Sequence, residues 1–198
     1  MKEHLKIHSD FDQLPLDVII TSPSHPVGIV QISHGMCEHK ERYLDFMNFL
    51  NQNGYVCCIH DHRGHGQSLY SQNDLGYFYK DGHIGIVEDL HQITKIMKKR
   101  YPYLPLYLFG HSMGSLVVRC YIKKYDQDID GLFVCGSPSY NKHISLGIHL
   151  TSLLSRIKGE HYRPQIIQKI GFDAFNKNFD KTIPNSWICS DKKVVEAY

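Results

Sequence analysis

Several things are scarce in this sequence, and each scarcity removes a class of function. Charge of one sign is the first: 22 lysines and arginines stand against 20 aspartates and glutamates, a net charge of +2. That balance offers nucleic acid no basic surface. The one basic run, Lys98-Lys99-Arg100, reads as a solvated helix end, where cations suit the dipole. No stretch reaches the ~18 apolar residues of a membrane-spanning helix. The charged start, MKEHLKIHSDFD, lacks the apolar region of a secretory signal, so the default is a cytoplasmic protein. There is no C-x-x-C pair and no framework spacing among the six cysteines. Cys37, Cys57, Cys58, Cys120, Cys135 and Cys189 fall mostly within apolar patterns and read as reduced core residues. His60, His62 and His65 crowd one turn without the i, i+4 spacing of a helical zinc site and without a completing cysteine or carboxylate cluster. No metal is expected there. Internal repeats and low-complexity tracts are also absent.

What is present suffices for a sizeable core: 198 residues, 42% of them apolar and 12% aromatic, the composition of a soluble globular domain. Leu16 to Thr21 and Gly28 to Ser33 are β-branched runs parted by Ser-Pro-Ser-His-Pro and read as two strands. Tyr43, Phe46, Met47 and Leu50 recur at helical spacing until Asn53-Gly54. Tyr55 to His60 is the next strand. A polar connection from Leu69 to Gly82 leads to a helix with Val87, Leu90, Ile93 and Met97 on one face. Leu106 to Phe109 and Gly131 to Cys135 read as further strands, with a helix over Ser115 to Tyr125 between them. This alternation predicts an α/β fold, a mostly parallel sheet with helices on both faces. In such sheets ligands bind beyond the carboxyl ends of the strands, where the glycine-containing motifs at His34, Asp61 and Gly110 begin.

From Ser139 onward the strand pattern stops. Ile144, Ile148, Leu150, Leu153, Leu154 and Ile157 give one helical apolar face, Ile166, Ile167 and Ile170 another, and Lys192 to Tyr198 a short helix-like end. The sequence therefore divides into residues 1–138, a sheet-and-helix core, and residues 139–198, a helical insertion covering the site.

The centre of the chain is LPLYLFGHSMGSLVV, Leu104 to Val118. Gly110-His111-Ser112-Met113-Gly114 fits G-x-S-x-G between a strand and a helix, the context that motif requires. A serine in such a turn sits in a strained backbone conformation with its hydroxyl clear of the sheet. Gly110 and Gly114 allow helix and strand to approach closely because they lack a β-carbon. The turn also places the backbone N–H of Met113 at a helix N-terminus, where an orphan donor can meet an oxyanion.

HGMCEH (34 to 39), DHRGHGQS (61 to 68) and GHSMG (110 to 114), in that order, resemble the α/β-hydrolases of the monoacylglycerol lipase and lysophospholipase group, also classed as serine aminopeptidase S33-like. The resemblance implies a nucleophile at Ser112 and an oxyanion hole from the backbone N–H groups of Met36 and Met113. Gly35, Gly110, His111 and Gly114 would support the elbow and loop, and His34, Glu38 and His39 would shape that loop. Asp61 and Arg63 read as a turn-holding ion pair. Cys37 and Ser115 stand where the group commonly has glycine.

The same resemblance implies no cofactor and a small lipid-like ester substrate, a monoacylglycerol or lysophospholipid, with a cap able to touch a membrane surface transiently. It places the acid and histidine of the triad after two further strands, beyond the cap. The acids after Ser112 are Asp126, Asp128, Asp130, Glu160, Asp173, Asp180, Asp191 and Glu196, and the histidines His143, His149 and His161. None follows a predicted strand, so acid and base stay unassigned. The sheet would then end on Gly131 to Cys135 with an apolar edge open to self-association, and the chain reads as the amino-terminal part of a hydrolase. Two readings follow: a serine esterase acting through an acyl-enzyme on Ser112, or a non-catalytic remnant that at most binds an acyl ligand.

Overall fold

In the computed structural model, residues 1–139, 144–163, 179, 182–183 and 185–197 are described. They fall in two units, Met1–Tyr140 and Asn141–Tyr198.

The first unit is built on a six-stranded sheet: β1 (Lys2–His8), β2 (Pro15–Thr21), β3 (Gly28–Ser33), β4 (Tyr55–His60), β5 (Leu106–His111) and β6 (Gly131–Cys135), in the spatial order β1-β2-β4-β3-β5-β6. β3 pairs in parallel with β4 and β5, and β5 with β6, while β1 and β2 are antiparallel. This bears out the mostly parallel sheet. β1 is an addition: what reads as a charged N-terminus is a strand. Leu5 and Ile7 alternate with exposed polar residues and pack on the core, so a period of two hides behind charge.

Helices cover both faces because alternate strand residues are apolar on both. On one face α1 (Leu44–Gln52) packs Met47 against Val30, Ile32, Cys57 and Ile59. On the other, α2 (Gly82–Arg100) and α3 (Met113–Tyr125) bury Ile93, Met97, Leu90, Val118 and Tyr121 against Ile29, Cys58 and Leu108. Each fully buried aliphatic side chain contributes about 1.5–3 kcal/mol.

The cysteines divide. Cys57 and Cys58 are core, one on each face, but Cys37, Cys120 and Cys135 are exposed and Cys189 half-buried, against the reading of a buried set. Cys37 lies in a loop, Cys120 on the solvent side of α3 and Cys135 at the end of β6. The basic run is also less free than it reads: Arg100 pairs with Glu3 at 2.6 Å and Lys98 donates to the Asp128 carbonyl.

β6 stands at the sheet's edge, with Phe133 and Val134 exposed. In the second unit, α4 (Ile144–Lys158) carries Ile144, Ile148, Leu150, Leu153 and Ile157 exposed, and α5 (Lys192–Ala197) buries Val195. Ile166, Ile167 and Ile170 lie outside the described residues. No helix among the described residues is long and apolar enough to cross a membrane.

Candidate active site

Ser112 joins β5 to α3 at φ 52° and ψ −115°, a region that costs a residue with a β-carbon about 1–3 kcal/mol. Helix and strand approach closely on either side of it. A β-carbon on Gly114 would lie 2.0 Å from the Ser33 carbonyl oxygen, and one on Gly110 would lie 2.6 Å from the Gly114 oxygen. Helix and strand meet only because both positions are glycine. The Ser112 N–H donates to the Cys135 carbonyl at 2.9 Å, so β6 steadies the turn. The Ser115 hydroxyl donates to the Ser112 carbonyl. Gly136, at φ 57°, lies against His111 and the Ser112 amide. The sequence marks it only as the end of a strand.

The loop after β3 reaches the same point. A β-carbon on Gly35 would sit 3.2 Å from that of Ser112. Cys37 adopts φ 59°, the conformation glycine would favour there. Glu38 fastens the loop. It accepts from the Gly35 N–H at 3.1 Å and the Tyr43 hydroxyl at 2.8 Å. Tyr43 in turn lies 3.0 Å from His111 Nδ1, which with that hydroxyl already donating must supply the proton. Burial opposes the Glu38 charge, yet His111, Tyr43 and the Gly35 amide outweigh it and hold the carboxyl at about 2. Burial, then the Glu38 charge, pushes the Tyr43 phenol up. The backbone N–H groups of Met36 and Met113 donate to no partner among the described residues, and neither does the Ser112 hydroxyl. Beside this network opens a cleft of about 390 Å³ lined by Arg42, Phe46 and Phe109 as well as Glu38, Tyr43 and His111.

The DHRGHGQS motif is tied to the loop after β3 by hydrogen bonds from Lys40 to Asp61 and from His62 to His34. Asp61 and Arg63 do not pair with each other, contrary to the sequence reading. Asp61 accepts from the Lys40 ammonium at 2.7 Å and from the amides of Lys40 and Gln67 at 2.8 Å. Lys40 is wholly buried and also meets Asp17 at 2.7 Å and Glu41 at 2.8 Å. Arg63 turns the other way, to Asp89 and Asp12, each at 2.9 Å. The true partners lie 21 to 51 residues away in the chain, which local spacing cannot reveal.

His34 accepts from the His62 amide through Nε2 at 2.9 Å, so its Nδ1 carries the proton and donates to the Gly35 carbonyl at 2.7 Å. His62 Nε2 meets the Ser33 hydroxyl at 2.9 Å. The His34 and His62 rings lie 4.3 Å apart, tilted by 44°, with His60 and His65 packed beside them. Burial pushes His34 and His60 down to about 3, and His62 and His65 down as well. These rings are neutral spacers that tie two motifs together.

Among the remaining acids, Asp128 faces His91 and Asp130 accepts from the Leu106 amide at the start of β5. Ser112 follows the other end of that strand, so about 20 Å separates them. Glu160, Asp191, Glu196, His149 and His161 belong to the second unit. His143, Asp173 and Asp180 lie outside the described residues.

Residues 24–198 match the family described as serine aminopeptidase, S33. The monoacylglycerol lipase of Mycolicibacterium smegmatis is 32% identical over 126 residues, 62% of this chain and 42% of that protein. Human monoglyceride lipase is 37% identical over 92 residues, 46% of this chain and 29% of its own. The matched stretches span less than half of either lipase. A solved structure of a thermostable carboxyl esterase from Bacillus coagulans, in complex with glycerol, superposes with a TM-score of 0.88 at 29% identity. It covers 98% of this chain and 64% of that one.

Proposed function

Because the chain belongs to the serine aminopeptidase S33 family, in the monoacylglycerol lipase group of the α/β-hydrolases, we propose that it is a serine hydrolase cleaving a carboxylic ester of a lipid-like substrate, a monoacylglycerol or lysophospholipid. The observation that carries this reading is Ser112, held at positive φ with the Gly35–Met36 loop against it. Ser112 Oγ attacks the ester carbonyl and the oxyanion rests on the amides of Met36 and Met113. Donors so placed contribute about 3–4 kcal/mol each to the transition state. The serine proton passes to a general base and on to the departing alcohol, leaving an acyl-serine. Water then attacks that ester, releases the acid and restores the hydroxyl. Residues 139–198 are, on this reading, the cap region, and the apolar side chains of α4 suit an acyl substrate.

A fluorophosphonate probe and a series of p-nitrophenyl esters test it. Labelling that disappears in Ser112→Ala, with turnover rising from acetyl to longer acyl esters, is the expected result. The Ser112 hydroxyl, which donates to no partner among the described residues, favours a second reading, a chain that binds an acyl ligand without cleaving it. Folded protein that takes up a fluorescent fatty acid yet is neither labelled nor active would establish that reading and end the first.

A further inference from the structure

Away from the elbow, the turn between β1 and β2 and the connection from β4 to α2 enclose a second cleft, of about 460 Å³. Four aromatic rings line it, Phe11, Tyr70, Tyr77 and Tyr79, together with the carboxylates of Asp12 and Asp81. It lies at the same end of the sheet as Ser112 but beside β2, three strands from β5 and so roughly 14 Å away.

The rings are set at angles rather than stacked. Tyr70 and Tyr79 stand 5.4 Å apart at 78°, and Tyr77 and Tyr79 stand 5.0 Å apart at 62°. Their hydroxyls and backbone hold them so. Tyr79 OH donates to Asp74 and accepts from the Tyr70 amide, both at 3.1 Å, and Tyr70 OH donates to the Asp12 carbonyl at 3.2 Å. Tyr79 and Asp81 both adopt positive φ, 63° and 53°, a conformation L residues keep only where surroundings impose it. Asp81 lines the cleft and makes no capping bond to α2.

Behind this wall lies a buried cation that also pairs with the Asp12 carboxylate at 2.9 Å. The Arg63 guanidinium lies 5.4 Å from the centre of the Phe11 ring, the distance at which a ring quadrupole attracts positive charge. Lys80 also lines the cleft and offsets one carboxylate. The attraction then rests on ring faces more than on net charge. That favours a large, weakly hydrated cation clothed in methyl groups over a metal ion or a bare ammonium. We infer that this aromatic cleft binds a quaternary ammonium group of the choline type.

The test is ligand-observed NMR on the full chain with tetramethylammonium, choline and phosphocholine, salt-matched with KCl, and with 3,3-dimethylbutan-1-ol as the uncharged isostere. Saturable binding of the cations without binding of the isostere is expected. Tyr70→Leu, at an exposed position, should weaken it about two- to fivefold, and Tyr103→Leu, at an exposed tyrosine outside the cleft lining, should leave it unchanged. Tighter phosphocholine identifies a headgroup whose phosphate meets Lys80, and tighter choline the free cation; either supports the site. Equal binding of the isostere, no saturation, or an unaltered Tyr70→Leu variant overturns it. None of these readouts depends on Ser112.

Discussion

Gly35 and Ser112 touch: a methyl group on the glycine would lie 3.2 Å from the serine β-carbon and 3.2 Å from the Glu38 carboxyl carbon. Two segments 77 positions apart in sequence thus share one point, and what disturbs one is felt by the other.

Gly35→Ala therefore crowds the serine without opening a cavity. Stability should fall by about 1 kcal/mol, whereas the rate of fluorophosphonate labelling should fall at least about tenfold, because the amide of Met36 moves with the loop. Thermal unfolding and labelling kinetics measured together separate the two effects. Equal losses in both would show that the loop matters only to folding.

Glu38 sets an acid limit. Its carboxyl is held at about 2 in the folded chain against an ordinary 4.5, so the unfolded chain binds that proton first as pH falls. The stabilisation is complete above about pH 4.5 and lost on descent towards 2. With the group partly open to solvent, screening leaves about 1 kcal/mol of it. Urea midpoints for wild type and Glu38→Gln should converge across that window.

His34 and His60 act higher on the pH scale. Both are about 3 when folded against an ordinary 6.5, so stability is whole above pH 6.5 and declines below it. The slope is about 1.4 kcal/mol per pH unit for each ring. His60 is wholly buried, with neither ring nitrogen bonded among the described residues. His60→Phe keeps the ring contact with His62 and should flatten the pH 4–6 dependence by one ring's share. An unchanged slope would mean that His60 is protonated in the folded state.

Lys40→Met should destabilise the fold by about 3–5 kcal/mol, because it strands the buried carboxylates of Asp17 and Asp61. Lys40→Met with Asp61→Asn should lose less than the sum of the two single variants. Additive losses in calorimetry would show that the pair does not interact.

Much of the α/β core can be read from residues alone. Gly28–Ser33, Tyr55–His60 and Gly131–Cys135 are strands as their short apolar runs indicate, and G-x-S-x-G lies at a strand-to-helix turn. β1 escapes because charge at alternate positions masks Leu5 and Ile7. Gly136 and Tyr43 escape because nothing near them in sequence marks contact with His111.

Local pattern determined the alternation of strands and helices, the sharp turn at Ser112 and the family, because hydrophobic period and glycine placement act over a few residues. Tertiary structure alone decided the ion pairs. Lys40 takes Asp61 and Asp17, and Arg63 takes Asp89 and Asp12, because a buried charge must find its counter-ion wherever the fold brings one within about 3 Å. It also decided which cysteines are buried and that Phe11 meets Tyr70, Tyr77 and Tyr79 in one cleft, since burial and the meeting of distant segments depend on how the chain crosses itself.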